Sequence, residues 1–177
     1  MRVLLHTCCA PCSIYPVQVL RQMDMEVMGF FYRYNIHPFQ ECMKREATLN
    51  EYASQIGLKV IWQQGYKLEE FLQSIVFREK NRCSICYHDR LAHTAVIAKK
   101  GKFDAFSTTL LYSKFQKHET IKSIGESVAK KYSIKFLYHD FREGWKSGIE
   151  QSKHLNMYRQ QYCGCIYSEK ERYGANY

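Results

Sequence analysis

The sequence lacks long apolar stretches, and with three prolines and nine glycines it has no segment rich in either residue. No run of apolar residues is long enough to cross a membrane. The short apolar run after Arg2 meets cysteines too early to be part of a signal peptide. We therefore expect a cytoplasmic protein without a membrane partner. Since internal repeats and low-complexity linkers are also missing, residues 1–177 are predicted to form a single domain.

Acidic residues are comparatively few. There are 17 Asp and Glu against 26 Lys and Arg, which gives a formal net charge of +9. A basic protein favours an anionic partner such as a nucleic acid or a nucleotide. The charge alone does not establish one, because basic groups such as Lys44 with Arg45 are also typical of a solvated face. A further group surrounds a cysteine pair and consists of Arg78, Lys80, Arg82 and Arg90.

Apolar periodicity predicts that strands alternate with helices along most of the chain. Such alternation is typical of a three-layer α/β domain, here a Rossmann-like domain with a mainly parallel sheet of about five strands. No clear periodicity is present from residue 160 to residue 177. The predicted strands cover residues 3–5, 26–34, 58–62, 103–111 and 134–138, and the predicted helices follow Pro11 and cover residues 39–55, 68–77, 85–99, 119–131 and 146–158.

Three of the eight cysteines, Cys8, Cys9 and Cys12, lie together near the amino terminus. They follow the apolar residues 3–5 and surround Pro11, which suits the first turn of a helix. They are therefore predicted at the carboxyl end of a strand and the amino end of a helix, where open α/β sheets bind their ligands. The helix dipole stabilises thiolates there, and the thiolate is the form that binds metal or attacks as a nucleophile. Clustered cysteines in a cytoplasmic protein favour such chemistry over structural disulfides.

Cys83 and Cys86 form a second group, and their spacing of one helical turn lets both thiols face one metal centre. Together with Cys8 and Cys9 they would provide four thiolates from two segments of the chain. Zinc and an iron-sulfur cluster both accept this set, and a thioredoxin-like redox pair has the same spacing. The pattern therefore predicts a metal or redox centre without identifying it. Cys42 stands alone on an apolar helix face and is predicted to fill the core.

The third group, Cys163-Gly164-Cys165, differs because its thiols are only one residue apart. Gly164 gives the backbone freedom that a small, strained disulfide ring requires. Strained disulfides have more oxidising potentials, and labile or catalytic disulfides are of this kind. We therefore predict a redox-active pair. Two unpaired thiols, or two ligands of the same metal, are the alternatives.

Six segments combine these cysteines with specific neighbours. They are residues 6–13 (HTCCAPCS), 34–38 (YNIHP), 82–91 (RCSICYHDRL), 107–111 (STTLL), 140–142 (DFR) and 158–165 (YRQQYCGC). In this order they resemble the epoxyqueuosine reductases that work without cobalamin, the QueH family. The resemblance runs over nearly the whole chain. It implies an oxidoreductase that acts late in queuosine biosynthesis and reduces epoxyqueuosine to queuosine at the wobble position of a tRNA anticodon.

The resemblance also implies which residues form the site. One cluster needs four thiolates, so Cys12 is left over; it either helps to bind an additional iron or, as we favour, packs at the helix start. Deoxygenation of an epoxide consumes two electrons and two protons, which suits a dithiol beside a one-electron centre, and the electron donor is unidentified. By the family pattern a 4Fe-4S cluster is held by Cys8, Cys9, Cys83 and Cys86, and a redox-active disulfide joins Cys163 and Cys165.

Further residues are predicted to act around this centre. Asp89 lies one helical turn after Cys86 and is predicted either to face the centre, as an oxygen ligand or a proton donor, or to form an exposed ion pair with Arg90 or Lys80. His37, in an aromatic loop, is predicted either to contact the flipped base or to order the loop. The partner would be a tRNA that bears epoxyqueuosine in its anticodon loop. Its phosphates are expected to contact Arg78, Lys80, Arg82 and Arg90.

Two other functions fit parts of the sequence. In a zinc-stabilised tRNA-binding module without redox chemistry, the four thiolates would be structural. An ATP-using tRNA-modifying enzyme of the PP-loop type would also begin with strand, turn and helix. The turn here, however, contains Cys-Cys-Ala-Pro-Cys, whereas a phosphate cradle is rich in serine and glycine. Neither alternative explains Cys163-Gly164-Cys165 as well as a reductase does.

Overall fold

The computed structural model describes residues 1–174 of the chain, which form one five-stranded sheet and seven α-helices within that range. The strands are β1 (Arg2–Thr7), β2 (Glu26–Phe31), β3 (Val60–Trp62), β4 (Ala105–Thr108) and β5 (Lys135–Phe136). They are all parallel, in the order β3-β2-β1-β4-β5. In the central strand β1, Leu4 pairs with Met28 on one side and Phe106 on the other. Because both faces of β1 are covered, its apolar residues form a continuous run in the sequence.

The helices cover both faces of the sheet. They are α1 (Ala10–Gln22), α2 (Phe39–Gln55), α3 (Leu68–Ile75), α4 (Arg82–Lys100), α5 (His118–Tyr132), α6 (Trp145–His154) and α7 (Ile166–Tyr173). α1 packs against α2 and α6, whereas α4 packs against α3 and α5. The predicted three-layer α/β architecture with a parallel sheet of five strands is therefore confirmed.

Three strands end earlier than the sequence predicts, and one of them, β5, ends at Phe136. β2 ends at Phe31 because its partners there, Thr7 and Trp62, are the last residues of β1 and β3. β4 ends at Thr108, whose hydroxyl accepts a hydrogen bond from the Leu110 amide at 3.1 Å. This side-chain cap starts a 3₁₀ helix, Thr109–Tyr112, and turns the chain away from the sheet.

The segment after residue 160, for which no periodicity was found, contains the helix α7. None of the residues of α7 is buried, so the helix has no apolar face that the sequence could reveal. Within residues 1–174, no helix combines the length and the apolarity that crossing a membrane would require. The predicted single domain over residues 1–177 includes residues 175–177, which lie outside the described residues, and stays a prediction.

Candidate active site

The site lies where β1 and β4 end next to each other. Cys8 follows β1, and Thr109 follows β4. The Cys8 amide donates to the Thr109 hydroxyl at 3.3 Å, and this hydroxyl donates to the Cys8 sulfur at 3.5 Å. The two strand ends are therefore tied together at the edge where parallel sheets bind ligands.

Cys8, Cys9 and Cys12 form a buried group whose sulfur atoms all lie within 4.8 Å of one another. Hydrogen bonds from the thiols of Cys12 and Cys9 lower the pKa of Cys8 well below its usual range. The bond to Cys8 correspondingly raises the pKa of Cys12, and burial raises that of Cys9. The group therefore favours one thiolate, at Cys8, that accepts hydrogen bonds from the thiols of Cys9 and Cys12. The structure places Cys12 with the other two cysteines, which makes it a third possible metal ligand.

Cys83 and Cys86 lie in the first turns of α4. The Cys86 sulfur is buried and accepts hydrogen bonds from Asn35 Nδ2 at 3.1 Å and from Arg90 Nε at 3.4 Å. Cys83 is half-buried. These two sulfur atoms are not part of the group within 4.8 Å that the described residues form around Cys8. A cluster of several irons spreads its ligands over a wider span than one ion does, so the two pairs remain compatible with such a group.

Arg90 connects the two cysteine groups. Besides its bond to Cys86, it donates to His6 Nε2 at 3.3 Å and to the carbonyl oxygen of Asn35 at 3.1 Å. The imidazole of His6 is neutral, because burial and the charge of Arg90 lower its pKa to about 3. The proximity of Cys86 and Cys8 raises the pKa of Arg90 despite burial.

The buried positive charge of Arg90 bears on whether a thiolate-bound metal fits the site. Arg90 is 2% exposed, and within residues 1–174 no carboxylate forms an ion pair with it. A buried guanidinium requires a compensating negative charge. Thiolates of Cys8 and Cys86, with a metal centre bound to them, would supply this charge. The residues therefore fit a thiolate-bound iron-sulfur cluster, and they would also fit zinc.

The turn that carries Cys163 and Cys165 is anchored through its backbone. The buried Arg45 donates to the carbonyl oxygens of Cys163 at 2.9 Å and Tyr162 at 3.0 Å. Gly164 has a φ of +146°, a conformation that favours glycine. A Cβ atom at this position would also lie 3.2 Å from Arg45 Nη1. Gly164 thus uses the backbone freedom that the sequence analysis assigns to it, and the redox-active pairing of Cys163 with Cys165 stays a prediction.

The two thiols of this turn face different surroundings. Cys163 is exposed and accepts a hydrogen bond from Gln116 Nε2 at 3.2 Å. Cys165 is buried and packs in an apolar cluster with Cys86, Phe71 and Ile75. Both are free thiols in this structure.

A cavity of about 480 Å³ opens beside these groups. Its wall contains thiols from two separate parts of the chain, together with aromatic rings, carboxamides and guanidinium groups. This combination suits a nucleoside, whose base stacks on aromatic rings and whose polar edges take hydrogen bonds. The groups concerned are Cys8, Cys12 and Cys163, Tyr112, Phe115, Trp145 and Tyr162, Gln116, Gln160 and Gln161, and Arg159 and Arg172.

The structure does not place Arg90 and His37 where tRNA would meet them. The guanidinium of Arg90 is enclosed by its bonds to sulfur, imidazole and carbonyl groups, so a phosphate contact does not fit its position. The buried ring of His37 donates to the carbonyl oxygen of Tyr34 at 2.9 Å and accepts from the Ile166 amide at 3.3 Å. These bonds fit the alternative role for His37, that of ordering its loop.

Asp89 is held by contacts with Tyr32 and His93. Its carboxylate accepts a hydrogen bond from the Tyr32 hydroxyl at 2.6 Å and lies 3.2 Å from His93 Nδ1. Burial alone would raise the pKa of Asp89, but these two partners lower it overall. Neither predicted pairing, with Arg90 or with Lys80, is formed. The role of Asp89 as an oxygen ligand or a proton donor at the centre stays a prediction.

Arg78, Lys80 and Arg82 differ in accessibility. Arg78 and Lys80 are exposed, as a contact with phosphate requires. Arg82 is half-buried, forms an ion pair with Glu171 and lies over the ring of Tyr167, with 5.5 Å between Cζ and the ring centroid. The guanidinium of Arg82 is thus already engaged by α7.

Sequence reasoning missed the role of Arg45 and its partner Glu41. The carboxylate of Glu41 accepts from Arg45 Nε at 2.7 Å and from the Tyr158 hydroxyl. The spacing of four residues on one helix is a signal for such a pair. Nothing in that spacing shows that the pair is buried and meets Cys163.

The comparisons with known proteins agree with this geometry. A family model described as "Epoxyqueuosine reductase QueH" matches residues 3–171. Epoxyqueuosine reductase QueH of Dehalococcoides mccartyi is 35% identical over 173 residues, which cover 98% of this chain and 95% of the relative. The protein of the same name from Thermotoga maritima is 34% identical over 180 residues, covering 96% and 91% of the two chains.

A solved structure shares the fold at low sequence identity. It is the crystal structure of a predicted subunit of tRNA methyltransferase from Methanocaldococcus jannaschii, with a TM-score of 0.60 and 12% identity. The match covers 86% of this chain and 76% of the other, and it supports the α/β fold alone. Since the family model spans residues 3–171 and relatives match along nearly the whole length, the chain belongs to the epoxyqueuosine reductase QueH family.

Proposed function

We propose that the chain is an epoxyqueuosine reductase that converts epoxyqueuosine to queuosine at the wobble position of tRNA. The observation that carries this proposal is the cavity beside β1 and β4, which combines thiols with groups that suit a nucleoside. A wobble nucleoside belongs to a single-stranded loop, so turning it out into a cavity costs little free energy. The established family makes this substrate the natural occupant.

Cys163 and Cys165 would supply the reducing equivalents. When two thiols close to a disulfide they release two electrons and two protons. The epoxide takes up both electrons as its two C–O bonds break and the alkene forms, and its oxygen leaves with the two protons as water. The balance is therefore complete for one turnover. An electron donor, which is unidentified, must then reduce the disulfide.

We further propose a 4Fe-4S cluster held by Cys8, Cys9, Cys83 and Cys86. When bound, it would supply one-electron transfer and a Lewis-acidic iron. The buried charge of Arg90 would stabilise the thiolates of Cys8 and Cys86. Because the Cys12 sulfur lies in the same group as those of Cys8 and Cys9, a role for Cys12 as a ligand of an additional iron has more support than packing alone.

The proposal is tested on protein purified without oxygen. Iron, acid-labile sulfide and zinc are measured, a visible spectrum is taken before and after dithionite, and turnover of tRNA bearing epoxyqueuosine is followed by mass spectrometry of its nucleosides. We expect about four irons and four sulfides per chain, absorbance that bleaches on reduction, and formation of queuosine.

Three single variants separate the roles of the cysteines. Cys86→Ser should lose iron and turnover, whereas Cys163→Ser should retain iron and lose turnover. Cys42→Ser is the matched control, since its thiol lies in the core away from the site, and it should retain both. Stoichiometric zinc with no turnover, after reconstitution with iron and sulfide, would favour a zinc-stabilised tRNA-binding module instead.

A further inference from the structure

Phe115 is an aromatic side chain that the fold exposes at the mouth of the cavity. It is 85% exposed, although it belongs to the wall that also contains Cys8, Cys12 and Cys163. The ring of Trp145 supports it from one side, in an edge-to-face arrangement with 5.5 Å between the ring centroids. Most of the ring surface remains free for another planar group.

The turn that carries Phe115 is held by polar contacts. The Phe115 amide donates to the Ser113 hydroxyl at 3.2 Å. The next residue, Gln116, accepts a hydrogen bond from the Tyr87 hydroxyl at 2.8 Å and donates to the Cys163 sulfur at 3.2 Å. The backbone that carries the exposed ring is therefore held in place relative to a thiol in the cavity.

Positive charge surrounds the exposed ring. Lys114 and Lys117 flank it and are exposed, and Arg159 and Arg172 lie in the cavity wall. Among the residues that the structure describes, no carboxylate forms an ion pair with any of these four side chains. A free aromatic face among unpaired cations is the arrangement that binds single-stranded nucleic acid, where bases stack and phosphates meet the cations.

We propose that Phe115 stacks on the base next to the wobble nucleoside when that nucleoside occupies the cavity, while Lys114 and Lys117 bind the adjoining phosphates. The inference rests on the proposed function, because it takes the occupant of the cavity to be a nucleoside within an anticodon loop. An RNA strand can make this contact with Phe115, whereas a free nucleoside in the cavity has no neighbouring base to make it. A strand that delivers one nucleoside into the cavity must pass Phe115 with the neighbouring nucleotide.

The test measures RNA binding independently of the reaction. The probe is an anticodon stem-loop RNA with guanosine at the wobble position and the fluorescent base 2-aminopurine beside it. Stacking on an aromatic ring quenches 2-aminopurine, so the wild-type protein with its metal centre should quench it on binding. Phe115→Leu keeps an apolar side chain of similar size and removes the aromatic face. It should lose the quenching and weaken binding by about tenfold.

Two further variants make the result specific. Phe115→Trp restores an aromatic face and should restore both quenching and affinity. Phe77→Leu is the matched control, because Phe77 is 95% exposed but lies outside the wall of the cavity, and it should bind as the wild type does. Unchanged quenching in Phe115→Leu, or an equal loss of affinity in Phe77→Leu, would overturn the inference.

Turnover separates this inference from the proposed function. If epoxyqueuosine is the substrate, Phe115→Leu should raise KM for tRNA. Wild-type protein that quenches the RNA probe but reduces no epoxyqueuosine would refute the function and support the RNA contact. If Phe115→Leu reduces epoxyqueuosine with the same KM for tRNA as the wild type, the proposed function is supported and the RNA contact of Phe115 is refuted.

Discussion

Arg45 donates a hydrogen bond to the carbonyl oxygen of Cys163 at 2.9 Å, although 118 positions separate the two residues in the chain. The second Nη atom reaches the carbonyl oxygen of Tyr162. Helix α2 therefore fixes the turn that carries the third cysteine group. The negative charge that Arg45 needs in this buried position comes from Glu41.

Arg45→Met is expected to lower the free energy of unfolding by about 3–5 kcal/mol, because it leaves the carboxylate of Glu41 buried without its partner. The matched control is Lys44→Met, which changes an exposed neighbour and should cost less than about 0.5 kcal/mol. Urea denaturation of both variants measures the difference. Adding Glu41→Gln to Arg45→Met should recover part of the lost stability. Equal losses of stability in Arg45→Met and Lys44→Met would show that Arg45 does not form a stabilising buried pair with Glu41.

Arg90→Met should affect the protein with and without metal in different ways. Removing a charge that stabilises thiolates should lower the affinity for iron by about 10–100-fold, the usual effect of changing a residue behind the ligands. In the metal-free protein the same change removes a buried charge that has no carboxylate partner among residues 1–174, so the free energy of unfolding should stay the same or rise.

The measurement for Arg90→Met combines iron retention against a chelator with denaturation of the metal-free protein. Arg78→Met is the control, since Arg78 is exposed and should change neither quantity. An iron affinity equal to that of the wild type would show that the charge of Arg90 does not act on the metal centre.

N-Ethylmaleimide should modify Cys163 before Cys42. Cys163 lies in the wall of an open cavity, whereas Cys42 is fully buried among apolar residues. The reaction is run on reduced protein without oxygen and followed by peptide mapping. Gln116→Leu removes the hydrogen bond to the Cys163 sulfur and should change the rate at Cys163 alone. Modification of Cys42 at the same rate as Cys163 would contradict the described burial.

Alkaline pH should destabilise the protein through Cys42. Burial raises the pKa of this thiol to about 11, whereas in the unfolded chain a cysteine ionises near pH 8.5. The folded state thus retains a proton that the unfolded state loses. The stability from Cys42 is complete below about pH 8.5 and is lost as the pH rises through 11, by about 3 kcal/mol.

Cys42→Ala isolates this effect. At pH 8 the variant should be less stable than the wild type because it leaves a small cavity in the core. The deficit should shrink as the pH rises to 11, since only the wild type has the thiol to ionise. Denaturation curves at several pH values measure the difference, and a deficit that does not change with pH would refute the predicted shift.

The positions of Cys8, Cys9, Cys83 and Cys86 were predictable because these cysteines follow a strand or lie at the start of a helix, and the edges of parallel strands come together in any such sheet. The burial of Arg90 and Arg45 was not. A basic residue on a helix gives the same pattern in the sequence whether it faces water or a distant buried segment. Arg90 is buried by His6 and Asn35, which precede it by 84 and 55 positions. Local periodicity carries no information about such partners.

The backbone anchoring of the turn at residues 162–165 has a consequence for how the site could change. Arg45 binds carbonyl oxygens, and the amide of His37 donates to the carbonyl oxygen of Gly164 at 2.6 Å. These contacts do not involve sulfur, so they do not depend on the chemical identity of the side chains at positions 163 and 165. At this position the backbone contacts hold the turn, and the side chain of Cys163 provides the reactive thiol. A selenocysteine or an unreactive side chain could replace Cys163 there without a new fold around it.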